Sequence, residues 1–196
     1  MIQRQRQKLR LKESGSNDTP DVLGRDKVEG SSPFVELYRR HAGQVYRYFF
    51  TRTGNKQEAE ELTSQTFLAA WESVDQYRGE GAFIAWLMGI ARRKIARHYR
   101  QRPTAPLDQA IDLPDEGLLP EELAAERSRL SQVLQALQAL SPDRAEAIRL
   151  YFFGSLSVAE VSIVMKKSEP AVRMLLHRGI RDLKERVGLG TNQEEL

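Results

Sequence analysis

The chain has 196 residues, enough for one large domain or two small ones. Thirty Lys and Arg face 27 Asp and Glu, so the formal charge is only +3, and where the charge sits matters more than its total. The absence of cysteine excludes a disulfide framework, a cysteine-zinc site and thiol catalysis, and it fits a reducing cytoplasm.

The three histidines, His41, His98 and His177, lie far apart, with no metal-ligand spacing. No apolar run reaches the ~18 residues of a membrane span, so no membrane insertion is expected. A phosphate-binding loop and a nucleophile-base set are also missing from the sequence, so neither an enzyme nor a cofactor is expected. The N-terminal stretch MIQRQRQKLRLKESGSNDTPD is basic but has no apolar segment after it, which argues against a secretory signal.

Residues 1–32 are polar and aperiodic and read as a mobile basic tail: a solvated charge run or an auxiliary nucleic-acid arm. Ser32-Pro33 starts a helix, with Ser as N-cap and Pro in the first turn. Leu37, Val45, Tyr48 and Phe49 form its expected buried side, and Gly54-Asn55 ends it. Asn55 with Glu58 opens a second helix, with Leu62, Thr66, Ala69, Ala70 and Ser73 on one side and Phe67 and Trp71 adding apolar bulk. Arg78-Gly79-Glu80-Gly81 predicts a turn. In the third helix Phe83, Trp86, Leu87, Ile90 and Ala91 share a face. Arg92, Arg93, Lys94, Arg97, Arg100 and Arg102 follow without an acid among them.

The composition then inverts. Residues 103–126 hold four prolines, seven acids and no base, a linker with a helix beginning near its end. Beyond it RLSQVLQALQAL predicts a helix, and Ser141-Pro142 starts another. Ser157 and Glu160 make a capping box for the short helix VAEVSIVM. KKS turns the chain into a last long helix, and residues 188–196 are a tail. The expected fold is therefore all-α: helical domains over 33–102 and 127–187, joined by the acidic linker 103–126.

A capped short helix, a tight turn and a longer basic helix describe a helix-turn-helix in the C-terminal domain. At ~100° per residue, Val172, Ile180, Leu183 and Val187 fall near Leu176, the core direction, with Leu175 at its margin. Met174, Arg178 and Arg181 lie opposite, flanked by His177 and Lys184. Arg178 and Arg181 suit phosphates or guanine edges, and Met174 suits a thymine methyl or the space under a partner. A solvated helix on a bundle is the alternative. In the first domain, Tyr77, Phe83, Trp86 and Tyr99 beside the basic run are either core aromatics or a stacking surface for single-stranded nucleic acid.

Two sets of motifs carry a family resemblance. The first set is Ala59-Glu60-Glu61-Leu62, Phe67-Leu68-Ala69-Ala70-Trp71, Tyr77-Arg78-Gly79-Glu80, Phe83-Ile84-Ala85-Trp86-Leu87 and Ile90-Ala91-Arg92. The second is Leu140-Ser141-Pro142, Leu156 to Val161, Ala171-Val172-Arg173 and Leu176-His177-Arg178. Residues 33–187 thus resemble extracytoplasmic-function sigma factors, in their second and fourth conserved regions in order.

The resemblance implies a promoter-specificity subunit whose partners are core RNA polymerase and promoter DNA, with room for an anti-sigma factor. Glu58, Glu60, Glu61 and Gln65 would meet polymerase. Tyr77, Arg78, Phe83, Trp86, Arg92, Arg93, Arg97 and Arg100 would recognise and help open the minus-ten element. Arg173, Met174, His177 and Arg178, with Arg181 and Lys184, would read the minus-thirty-five element. Ser64-Gln65, Arg93, Pro170, Met174 and Leu175 depart from the usual pattern. Two other functions fit the same residues: a polymerase-independent helix-turn-helix regulator, and a sigma-like protein-interaction module.

Overall fold

The computed structural model describes residues 33–74, 77, 82–101 and 120–188. The predicted tails, the Arg78–Gly81 turn and the linker up to 119 lie outside the described residues. All regular structure among the described residues is helical. The first unit comprises α1 (Pro33–Thr53), α2 (Lys56–Glu72) and α3 (Phe83–Gln101). The second comprises α4 (Pro120–Gln138), α5 (Pro142–Ile148), a π-helical turn (Arg149–Phe153), α6 (Val158–Met165) and α7 (Glu169–Arg186).

Local chemistry sets most of these boundaries. α1 closes at Gly54, whose φ of 63° lets its N–H reach the Phe50 carbonyl at 2.9 Å. Asn55 then caps α2, its side chain accepting from the Glu58 N–H at 3.0 Å. α4 begins at Pro120, near the end of the acidic segment 103–126, where the sequence predicts a helix to begin. Proline is tolerated in a first helical turn, so the last proline of the acidic run can start this helix.

The capping box on α6 is complete. Ser157 Oγ accepts from Glu160 N–H at 3.3 Å, and Glu160 Oε2 accepts from Ser157 N–H at 2.7 Å. Ser157→Ala removes one half of it and should cost about 1 kcal/mol, measured by thermal melting. An unchanged melting point would show that the box adds nothing to this helix.

The apolar faces meet as the periodicity predicts. Leu37, Val45, Tyr48 and Phe49 of α1 are buried against Leu62, Phe67 and Ala70 of α2 and Leu87, Met88, Ile90 and Ala91 of α3. In the second unit Leu134, Leu137, Ile148, Leu150, Val161, Val172 and Leu176 are buried. The two units also close on each other, α3 against α6 and α1 against the π-helical turn. Gly154 sits in that seam: a Cβ there would lie 2.7 Å from the Leu150 carbonyl and 3.1 Å from Met88 of the first unit.

Candidate nucleic-acid interface

In the second unit α6, the turn at Lys166-Lys167 and α7 form the helix-turn-helix. Lys166 takes the left-handed conformation (φ 55°) that ends α6, and Ser168-Glu169-Pro170 opens α7. Val172 and Leu176 of α7 are buried, and Leu175 and Leu183 pack partly against the core. Gly179 is buried too, although periodicity gives it no role. It lets α7 approach α5, since a Cβ there would lie 2.9 Å from Ile148 Cδ1. An ion pair between Arg144 of α5 and Asp182 of α7 spans the same contact.

The opposite face of α7 is open. Arg173, Met174, His177, Arg178, Arg181 and Lys184 are all exposed, Met174 by 52%. Arg173 is paired with Glu169 at 2.8 Å, and Arg181 lies at the limit of contact with Asp182 and Glu185 (3.8 and 4.0 Å). Arg178 and Lys184 are exposed and make no ion pair among the described residues. One exposed thioether among cations on a helix braced from behind can enter a major groove, with apolar contact at one base and charge at its neighbours.

The first unit brings Tyr77, Phe83 and Trp86 together. Their ring centroids are 5.3–5.6 Å apart in edge-on and tilted pairs. Phe83 departs from the sequence expectation: it is 4% exposed, and His41 covers it at 5.8 Å. It is the floor on which Tyr77 and Trp86, both half-buried, rest. Burial raises the Tyr77 phenol above its ordinary range. Arg78 lies outside the described residues.

The basic run on α3 divides by helical phase. Arg93, Arg97 and Arg100 are exposed. Arg92 also departs from expectation and turns towards the second unit. It donates to the Val164 carbonyl at 2.6 Å and pairs with Glu146 at 2.9 Å. Tyr99, a stacking candidate from sequence, donates from its hydroxyl to the Arg52 carbonyl and stays 43% exposed.

On α2, Glu60 and Glu61 are exposed, and Gln65 donates to Glu61 at 2.9 Å. Glu58 lies 3.4 Å from His98 of α3. Glu61 and Gln65 line one groove with Lys94, Arg97 and His98, so two of the four expected polymerase contacts border the basic face of α3.

Sequence reasoning missed a buried polar cluster between the units. Glu146 of α5 is 3% exposed. Its carboxylate accepts from Tyr48 Oη at 2.9 Å and from Arg52 at 2.5 Å, besides pairing with Arg92. Arg149 is 5% exposed, and burial, then the charge of Arg52, pushes its guanidinium down to about 10. The Nε atoms of Arg52 and Arg149 are buried without a hydrogen-bond partner among the described residues. Arg52 and Tyr48 lie 94 and 98 residues from Glu146 in sequence, so no local pattern announces the cluster. Among the described residues, no group of side chains is suited to hold a metal ion, and no helix is long and apolar enough to cross a membrane.

Fold and surface define a two-unit helical protein with a helix-turn-helix and a second basic-aromatic face. The profile of Sigma-70 region 2 matches residues 37–103, and that of Sigma-70 region 4 matches residues 130–183. The sigma factor BldN of Streptomyces coelicolor is 33% identical over 87% of this chain; the match spans 66% of BldN, just under two thirds. The sigma factor CarQ of Myxococcus xanthus is 32% identical over 79% of this chain and 89% of its own length. The sigma factor RpoE of Bartonella quintana, solved with the anti-sigma factor NepR, shares the fold: TM-score 0.65, 20% identity, covering 81% of this chain and 98% of RpoE. The chain belongs to the extracytoplasmic-function family of RNA polymerase sigma factors.

Proposed function

We propose that the chain is a cytoplasmic promoter-specificity subunit. It binds core RNA polymerase through the solvent face of α2, with Glu58, Glu60, Glu61 and Gln65. It engages the minus-ten element through Tyr77, Arg78, Trp86, Arg93, Arg97 and Arg100, and the minus-thirty-five element through α7. The observation that supports this reading is the presence of two separate basic faces on one chain, each in a segment that matches a sigma region. Strand opening needs no chemistry of its own: an unstacked base costs a few kcal/mol, offset by aromatic stacking and phosphate contacts. The NepR complex of RpoE supports an anti-sigma factor as a regulatory partner.

Run-off transcription with core polymerase across a promoter library tests the reading. Transcripts that depend on this protein and share two spaced upstream motifs are expected. Core binding without any stimulated transcript would exclude it. On a selected promoter, Arg178→Ala should weaken duplex binding by the C-terminal face and lower the salt slope by about one unit. An unchanged slope would remove Arg178 from the interface.

A further inference from the structure

The outer face of α7 is divided along its length. Beyond the buried Val172, the first turns carry Glu169, Pro170, Ala171, Arg173 and Met174. Pro170 and Met174 are both exposed. They lie roughly 120° and 160° around the helix from the buried Leu176, so they share the face turned away from the core. Pro170 has no N–H to donate. Met174, 52% exposed, ends in a thioether that has no donor either. The cation of these turns, Arg173, is drawn back to Glu169 at 2.8 Å. Arg178, Arg181 and Lys184 follow one to three turns further on, all exposed. The tip of the helix is therefore carbon, and its charge lies behind the tip.

A recognition helix meets base edges with its N-terminal residues. An apolar tip cannot satisfy the donors and acceptors of a G·C pair, and stripping water from them without a partner is costly. The C5-methyl of thymine is the base-edge group that carbon can cover without leaving a polar atom unpaired. We infer that Pro170 and Met174 form an apolar reader that selects thymine in the upstream duplex, while Arg178, Arg181 and Lys184 hold its phosphates. The inference rests on the proposed placement of α7 at the minus-thirty-five element and adds the chemistry of the base that is read.

The test uses holoenzyme assembled from core polymerase and the full chain, on a promoter found by the run-off selection. Each thymine of its upstream element is replaced in turn by deoxyuridine, which lacks only the methyl. Wild-type holoenzyme should bind about fourfold more weakly when the thymine under Met174 is replaced, and should lose less at the one under Pro170. Met174→Ala should no longer distinguish thymine from deoxyuridine at the first position. Met174→Leu restores carbon there and should distinguish them again. Met174→Gln should move the preference at that position to adenine, whose N6 and N7 suit a side-chain amide. Met174 stands in solvent, so these changes leave the buried side of α7 intact.

Equal wild-type binding to thymine and deoxyuridine at every upstream position would overturn the apolar reader. A lower salt slope for Arg178→Ala would then still place α7 on the duplex. Discrimination that survives Met174→Ala would also overturn the assignment. So would weaker binding of Met174→Ala to core polymerase alone, which would make the thioether a protein contact. A selection that yields no upstream motif would remove the role of α7 itself.

Discussion

Leu87→Ala should destabilise the protein by about 2–5 kcal/mol, read as a fall in the urea midpoint with little change in slope. Leu87 has no exposed surface and lies midway along the face that α3 turns to α1 and α2. Truncation removes three carbons from a site that cannot collapse easily, because Phe49, Met88 and Ala91 around it are themselves fully buried. Transfer and cavity costs then add. Leu87→Met conserves volume better and should cost less than about 1.5 kcal/mol. The functional consequence is local, since Trp86 and Arg93 are aimed by the helix that Leu87 anchors. A loss below about 1 kcal/mol for Leu87→Ala, under the range for a buried leucine, would mean that α3 is not held by this face.

Gly179→Val should cost about 1–3 kcal/mol and also disable the recognition helix. A Cβ at position 179 would lie 2.9 Å from Ile148 Cδ1 and 3.3 Å from Arg144 Cβ. Ile148 is 1% exposed, so moving it disturbs a packed interior. Replacing glycine within a helix recovers less than about 1 kcal/mol of propensity, which offsets only part of the overlap. α7 must therefore ride outward, straining the Arg144–Asp182 pair and re-aiming Arg178 and Arg181. Duplex binding should fall more than stability does. Gly179→Ala combined with Ile148→Val should recover much of what Gly179→Ala alone loses, a non-additivity expected of touching residues. Strict additivity would show that the two side chains do not compete for space.

Features written in neighbouring residues are legible in the sequence. Ser141-Pro142, Asn55 and the Ser157–Glu160 pair act over one helical turn, so the starts of α2, α5 and α6 come from chemistry within four residues. The outer face of α7 is as direct, because one buried leucine fixes the phase of the whole helix. The illegible features depend on distant chain. Phe83 and Trp86 both read as stacking candidates, and only the packing of His41 from α1 makes one a floor and the other a partly open surface. Arg92 is one cation in a run of six. What singles it out is the arrival of Glu146 from the other unit. Glu146 itself resembles any acid on the solvent side of a short helix. Gly179 is silent in the sequence because periodicity counts apolar side chains, and glycine contributes by lacking one.

The π-helical turn at Arg149–Phe153 has a geometric consequence for the whole second unit. Its ring closes through Gly154 N–H to the Arg149 carbonyl at 2.8 Å, five residues back where an α-turn spans four. Every residue inserted into or removed from a helix rotates the downstream chain by about 100°. The direction in which the chain leaves the turn at Gly154 is thus set by a count of residues. Point substitutions in the turn leave that count alone, whereas losing a single codon would turn Gly154 by about 100° away from its place beside Met88.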